Sequence, residues 1–86
     1  MLVEIFLSST VPVVNDESNP TKILGWDIVY TGQNLTTLEE YSKTGTILLA
    51  TPLPYGNIDR TVLEGIVNNY VEEQNWDEEI LEHLNG

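Results

Sequence analysis

The stretch from Ile58 to Gln74 constrains this chain more than any other. Its apolar residues, Ile58, Val62, Leu63, Ile66, Val67, Tyr70 and Val71, recur at steps of three and four. That is the period of an α-helix with one buried face. At about 100° per residue, the six from Val62 to Val71 sweep roughly half the circumference. Thr61, Glu64, Gly65, Asn68 and Glu72 fill the other half. Asp59 stands where an N-cap is needed, and its charge complements the positive helix start. Ile58 and Leu63 are placed as a hydrophobic staple. Gly65 lies on the polar face, where glycine costs up to ~1 kcal/mol relative to alanine. Core packing does not explain it; drift or the close approach of a partner does.

A second helix follows at once. Asn75 is its predicted cap, Glu78 occupies the capping-box position, and Trp76, Ile80 and Leu84 form an apolar stripe with Leu81 beside it. Upstream the period changes to two. Val3, Ile5 and Leu7 share one face of a strand, opposite Glu4, Phe6 and Ser8. Pro12 cannot donate to a ladder, so Val11 to Val14 reads as an edge or a second short segment. Asn15 to Thr21 is a turn by composition. Lys22 to Thr31 is the next strand, with Leu24, Trp26, Ile28 and Tyr30 as its core face and Asp27 facing water. Gly25 marks a bulge or a close backbone approach. The simplest pairing of the two strands is an antiparallel hairpin.

Gly32 to Asn34 reads as a connector. Thr36 with Glu39, or Thr37 with Glu40, fits a capping box, and Gly45 a stop, which predicts a short helix over Thr37 to Lys43. Leu35, Leu38 and Tyr41 are its inward residues. Thr46 to Thr51 is a strand apolar on both faces, suited to a central position or to one side under helices. Thr51 to Asn57, with Pro52 and Pro54, reads as a rigid loop. The expected fold is therefore α+β. A small antiparallel or mixed sheet of three or four strands carries two C-terminal helices and one short helix, in the order β-β-α-β-α-α. Its 86 residues make a single domain, 1–86.

Charge limits function. Fourteen acids against three bases give −11. Lys22, Lys43 and Arg60 are scattered, and each phosphate contact needs a cation, so direct nucleic-acid binding is disfavoured. No apolar run approaches the ~18 residues of a membrane span. Met1 to Leu7 lacks a basic leader and carries Glu4, so the expected location is cytoplasmic. With no cysteine and one histidine, His83 near the C-terminus, thiolate chemistry is excluded and a general base is badly placed. No nucleotide, zinc-protease or nucleophile-elbow motif occurs. Asp16 and Glu17 lack the other ligands of a calcium loop. The Asn34-Leu35-Thr36 acceptor has no secretion signal beside it. The chain is thus expected to be no enzyme and to need neither cofactor nor metal.

The acids concentrate at the end. From Asp59 onward eight acids oppose Arg60, giving −7 and leaving −4 for the rest. Glu64, Glu72, Glu73, Asp77, Glu78, Glu79 and Glu82 would form an acidic helical surface, with Trp76 or Tyr55 as an apolar anchor. The expected function is a protein-binding module with a basic partner. It would act as an inhibitor occupying a nucleic-acid-binding groove, as small proteins of phages and mobile elements do. Duplex DNA carries a charge per ~1.7 Å of axis, whereas Glu64 and Glu72 stand ~12 Å apart on one helix, so mimicry needs both helices combined. An acidic surface also serves solubility alone. The alternative is an assembly subunit that forms a homo-dimer or larger oligomer through the apolar helix face, with Val67 and Val71 meeting the second helix or another copy. A small-molecule pocket beneath Pro52 to Tyr55 is a third reading.

Overall fold

The computed structural model describes residues 2–56 and 58–85. Three strands come first, β1 (Val3–Val14), β2 (Lys22–Asn34) and β3 (Glu40–Pro54). Two helices follow, α1 (Arg60–Glu73) and α2 (Trp76–Asn85). The sheet is antiparallel with order β1-β2-β3, so β2 is central and both neighbours are edges. The fold is α+β, as expected, but the element order is β-β-β-α-α.

The expected short helix over Thr37 to Lys43 is absent: β3 already runs from Glu40. Leu35 and Leu38 are exposed rather than inward, and Leu38 has a positive φ of 65°. The Thr36 and Thr37 amides turn back to Asn34 Oδ1 at 2.9 and 3.2 Å. Asparagine thereby closes a hairpin where a capping box was expected. Gly32 to Asn34 is strand, not connector. Gly45 is no helix stop either. It lies mid-strand, where a Cβ would stand 2.8 Å from the Tyr70 hydroxyl and 2.9 Å from the Trp76 ring. Its missing side chain is the space those rings occupy.

Strand β3 is an edge strand rather than a central one, and Leu48 points into solvent. It continues through the proline-rich stretch expected as a loop. The ladder with β2 skips residues 49–52 and resumes at Leu53 opposite Ile23. Pro52, which has no N–H, thus falls in the unpaired part. Asn57, expected as the last loop residue, lies outside the described residues, as do Met1 and Gly86. The β1–β2 hairpin forms as read. Asn15 Oδ1 accepts from the Thr21 and Lys22 amides, and Asp16 Oδ1 from the amide and hydroxyl of Ser18. The Ser18 bonds hold the Asp16 carboxyl below its ordinary pKa.

In β2, Leu24 is the extra residue against β1, and it also falls where the ladder with β3 is interrupted. The bulge exchanges Leu24 for Ile23 on the core face, and a Cβ on Gly25 would run into the Ile47 carbonyl. Both helices lie over that face. The core joins Ile23, Trp26, Ile28 and Ile47 of the sheet to Val67 and Val71 of α1 and Trp76 of α2. Ile80 and Leu84 continue it over Gly32. Helix α1 therefore covers one end of the sheet and α2 the other. The radius of gyration is 14.8 Å and the long axis 45 Å, against about 12 Å expected for a compact chain of this length.

Among the described residues, no helix covers the opposite face. Across it Ser8 and Thr31 hydroxyls meet at 2.8 Å, Thr31 and Ser42 at 2.8 Å, and Thr46 donates to Asp27 Oδ1 at 2.6 Å. Cross-strand bonds of this kind stabilise adjacent strands.

A Cβ on Gly65, exposed on α1, would meet nothing within 4 Å. Gly65→Ala is expected to raise the unfolding free energy by up to about 1 kcal/mol. Gly45→Ala is expected to lower it by about 1–3 kcal/mol through overpacking against Tyr70 and Trp76. Urea denaturation of both variants checks the opposite signs.

Candidate functional site

The candidate surface is built at the corner between the helices. The Asp59 carboxylate accepts from Thr61 N–H at 2.8 Å and starts α1. At the other end Gln74 N–H bonds the Tyr70 carbonyl and Asn75 N–H the Glu72 carbonyl. Asn75 takes a left-handed φ of 56°, which asparagine tolerates better than most residues. Its carbonyl accepts from Glu79 N–H at 3.1 Å. The expected cap position is therefore served by Asn75's backbone.

The corner brings acids from both helices together. Glu72, Asp77 and Glu78 line one shallow cleft with Tyr30, Asn68 and Asn75. Glu78 and Glu82 line the adjoining hollow with Leu81. The other acids serve different places. Glu79 binds Lys43 Nζ at 2.7 Å and ties α2 to β3, which raises the Lys43 pKa above its ordinary value. Glu64 reaches Arg60 at 3.5 Å and lines a groove on the β1 side of α1. Glu73 lies beside Ile47, Leu48 and Tyr70 toward β3. Asp77, Glu78 and Glu79 also stand in the first turn of α2, where anions favour the helix.

The two expected anchors are placed differently. Trp76 is 6% exposed and belongs to the core, so its ring is not an anchor on the surface. Tyr55 is 47% exposed, but it precedes α1, at the far end of a helix of 14 residues and roughly 21 Å from the corner. Tyr30, Asn68 and Asn75 join the cleft without having been candidates. Tyr30 belongs to the core-facing row of β2 and is half-buried, and its hydroxyl donates to Asp77 Oδ1 at 2.7 Å. Burial, then the bond to Asp77, pushes that hydroxyl up to about 12. It stays a neutral donor at physiological pH.

His83 stacks on Tyr41 with centroids 3.8 Å apart. Among the described residues, no three His, Cys, Asp or Glu side chains are grouped to hold a metal, and no helix is long and apolar enough to cross a membrane. A cavity of about 740 Å³ opens between β1 and α1 and meets the stretch after β3 at Gly56, which is not where the small-molecule reading placed one.

Because the folded-state pKa of Tyr30 is raised, its contribution to stability is present below pH 10 and is lost between pH 10 and about 12. Wild type should therefore lose stability over that window by an increment that Tyr30→Phe lacks. Urea midpoints of both proteins across the alkaline range check it. Comparison of the chain with protein-family models, with curated proteins and with solved structures returned no match.

Proposed function

We propose that this protein is a binding module, not an enzyme, whose acidic helix corner docks on a basic surface of another protein and occupies it against nucleic acid. The observation that carries this reading is the convergence of Glu72, Asp77, Glu78 and Glu82, from two helices, on adjoining hollows. On α1 alone, Glu64 and Glu72 stand ~12 Å apart, too widely to resemble a phosphate backbone. At the corner α2 adds Asp77, Glu78 and Glu82 beside Glu72, and the buried Trp76 holds that corner in one shape. Glu72, Glu78 and Glu82 are the residues proposed to set encounter and orientation, with Leu81 as the apolar contact beside them. Asp77 acts through its bond to Tyr30. Glu64, Glu73 and Glu79 add to the field of the whole chain, which raises the association rate with a cationic partner. The cytoplasm is the proposed location.

The test compares wild type with the triple variant Glu72→Gln, Glu78→Gln, Glu82→Gln, each immobilised against the same purified nucleic-acid-binding proteins and host lysate. Wild type should retain a basic protein and displace its nucleic acid. It should release that protein as screening shortens from about 10 Å at 0.1 M salt to about 3 Å at 1 M. The triple variant should retain at least tenfold less. Equal retention by both would mean that the acids serve solubility alone.

A further inference from the structure

The two edges of the sheet are not equivalent. Strand β3 carries Glu40 and Lys43 and is broken out of its ladder at residues 49–52 by a proline-bearing stretch. Charge, proline and irregularity are the ordinary guards of an edge. Strand β1 has one charged residue, Glu4, among its 12. Its guards are a bulge between Leu7 and Ser9 and, near the far end, Pro12. Phe6, Leu7 and Val11 on this strand are exposed, as is Leu2 just before it. A monomer leaves that edge and those side chains in water.

The groove beside the edge narrows what can cover it. It runs between β1 and α1 over Ile5, Leu7, Pro12, Leu63 and Val67. The charged residues lining it are Arg60 and Glu64, one of each sign and paired with each other. On a chain of −11 this lining is electrically neutral. A basic segment gains nothing there. An extended apolar segment with almost no charge matches it, and β1 of this same chain is such a segment.

We infer that β1 of one copy pairs antiparallel with β1 of a second copy about a two-fold axis, joining two three-stranded sheets into one of six. The pairing lies N-terminal to Pro12, over residues 4–11, about 25 Å of strand. With the axis at the bulge between Leu7 and Ser9, each Glu4 faces Val11 of the other copy, since both lie on the uncovered face, opposite Gln33 and Asp27 of β2. The two Glu4 side chains then stand about 20 Å apart, beyond the screening length at 0.1 M salt. Leu7 and Val11 leave water, and the acidic corners stay outside the contact. So small an edge contact falls below the usual 20–30 residues a side, so the dimer is weak. The β1 edge itself carries none of Glu72, Glu78 and Glu82 and needs no basic partner.

Sedimentation equilibrium from about 10 μM to about 1 mM tests it. Wild type should move from 9.7 kDa toward twice that mass. The shift should persist at 1 M salt, where docking through the acidic corner is lost. Leu7→Lys and Val11→Lys should each hold the monomer mass over the whole range. Leu48→Lys, at an exposed position of β3, the edge opposite β1, should associate as wild type does. Circular dichroism confirms that each variant is folded, and Val11→Lys carries the test if Leu7→Lys is not. In wild type the amides of β1 should gain protection from hydrogen exchange as concentration rises. A wild-type monomer at every concentration overturns the pairing and leaves the edge to another protein's segment. A dimer unchanged by a folded Leu7→Lys or Val11→Lys places the contact elsewhere and overturns it equally.

Discussion

Trp76 is the piece on which the rest of the molecule leans. Its ring meets Tyr70 of α1 edge-on at 5.2 Å and Tyr30 of β2 at 6.2 Å, and it lies over Gly45 of β3. From the first turn of α2 it therefore touches the last turn of α1 and two strands. Aromatic pairs in these geometries add to what burial alone gives. Here they also fix a direction. The chain turns within Gln74 and Asn75, and the ring that follows decides where α2 points across the sheet. The carboxylates around the corner owe their grouping to this contact, not to attraction for one another.

Both helices could be read from the order of residues. Val67, Val71, Trp76, Ile80 and Leu84 have no alternative role at that spacing, and all five are buried. Asp59 caps α1 as its position suggests. The hairpin of β1 and β2 was equally legible, because a polar turn separates two runs of period two. The Gly25 bulge was legible as an irregularity, though not the exchange of Leu24 for Ile23 that it causes. At Thr36 to Gly45 two local signals competed. Thr-Thr-Leu-Glu-Glu resembles a helix start, yet Tyr41, Lys43, Gly45 and Ile47 alternate with Ser42, Thr44 and Thr46 as a strand does. The alternation prevailed because β2 is long enough to pair with it. Gly45 misleads for a non-local reason: it exists to admit rings 25 and 31 residues downstream.

The candidate surface was legible in part. The density of acids near the end of the chain is a property of the sequence, and the corner does gather Glu72, Asp77, Glu78 and Glu82. That Glu79 would turn to Lys43 depends on which elements meet, whereas Glu64 reaches Arg60 within α1, at the i,i+4 spacing of one helix. The anchor reading of Trp76 failed for a related reason. A large aromatic in the first turn of an amphipathic helix fits an exposed or a buried site equally well, and only the vacancy at Gly45 decides between them.

The row of hydroxyls on the uncovered face has a mechanical consequence. Ser8, Thr31 and Ser42 come from three different strands, and each hydroxyl can both donate and accept a hydrogen bond. The row laces the middle of the sheet from the side that no helix reaches. The core is a strip, with α1 over one end and α2 over the other, so its extremities can open separately while this seam and the Trp76 contact hold the waist. Breathing motions of the molecule should begin at both tips and die out at the laces.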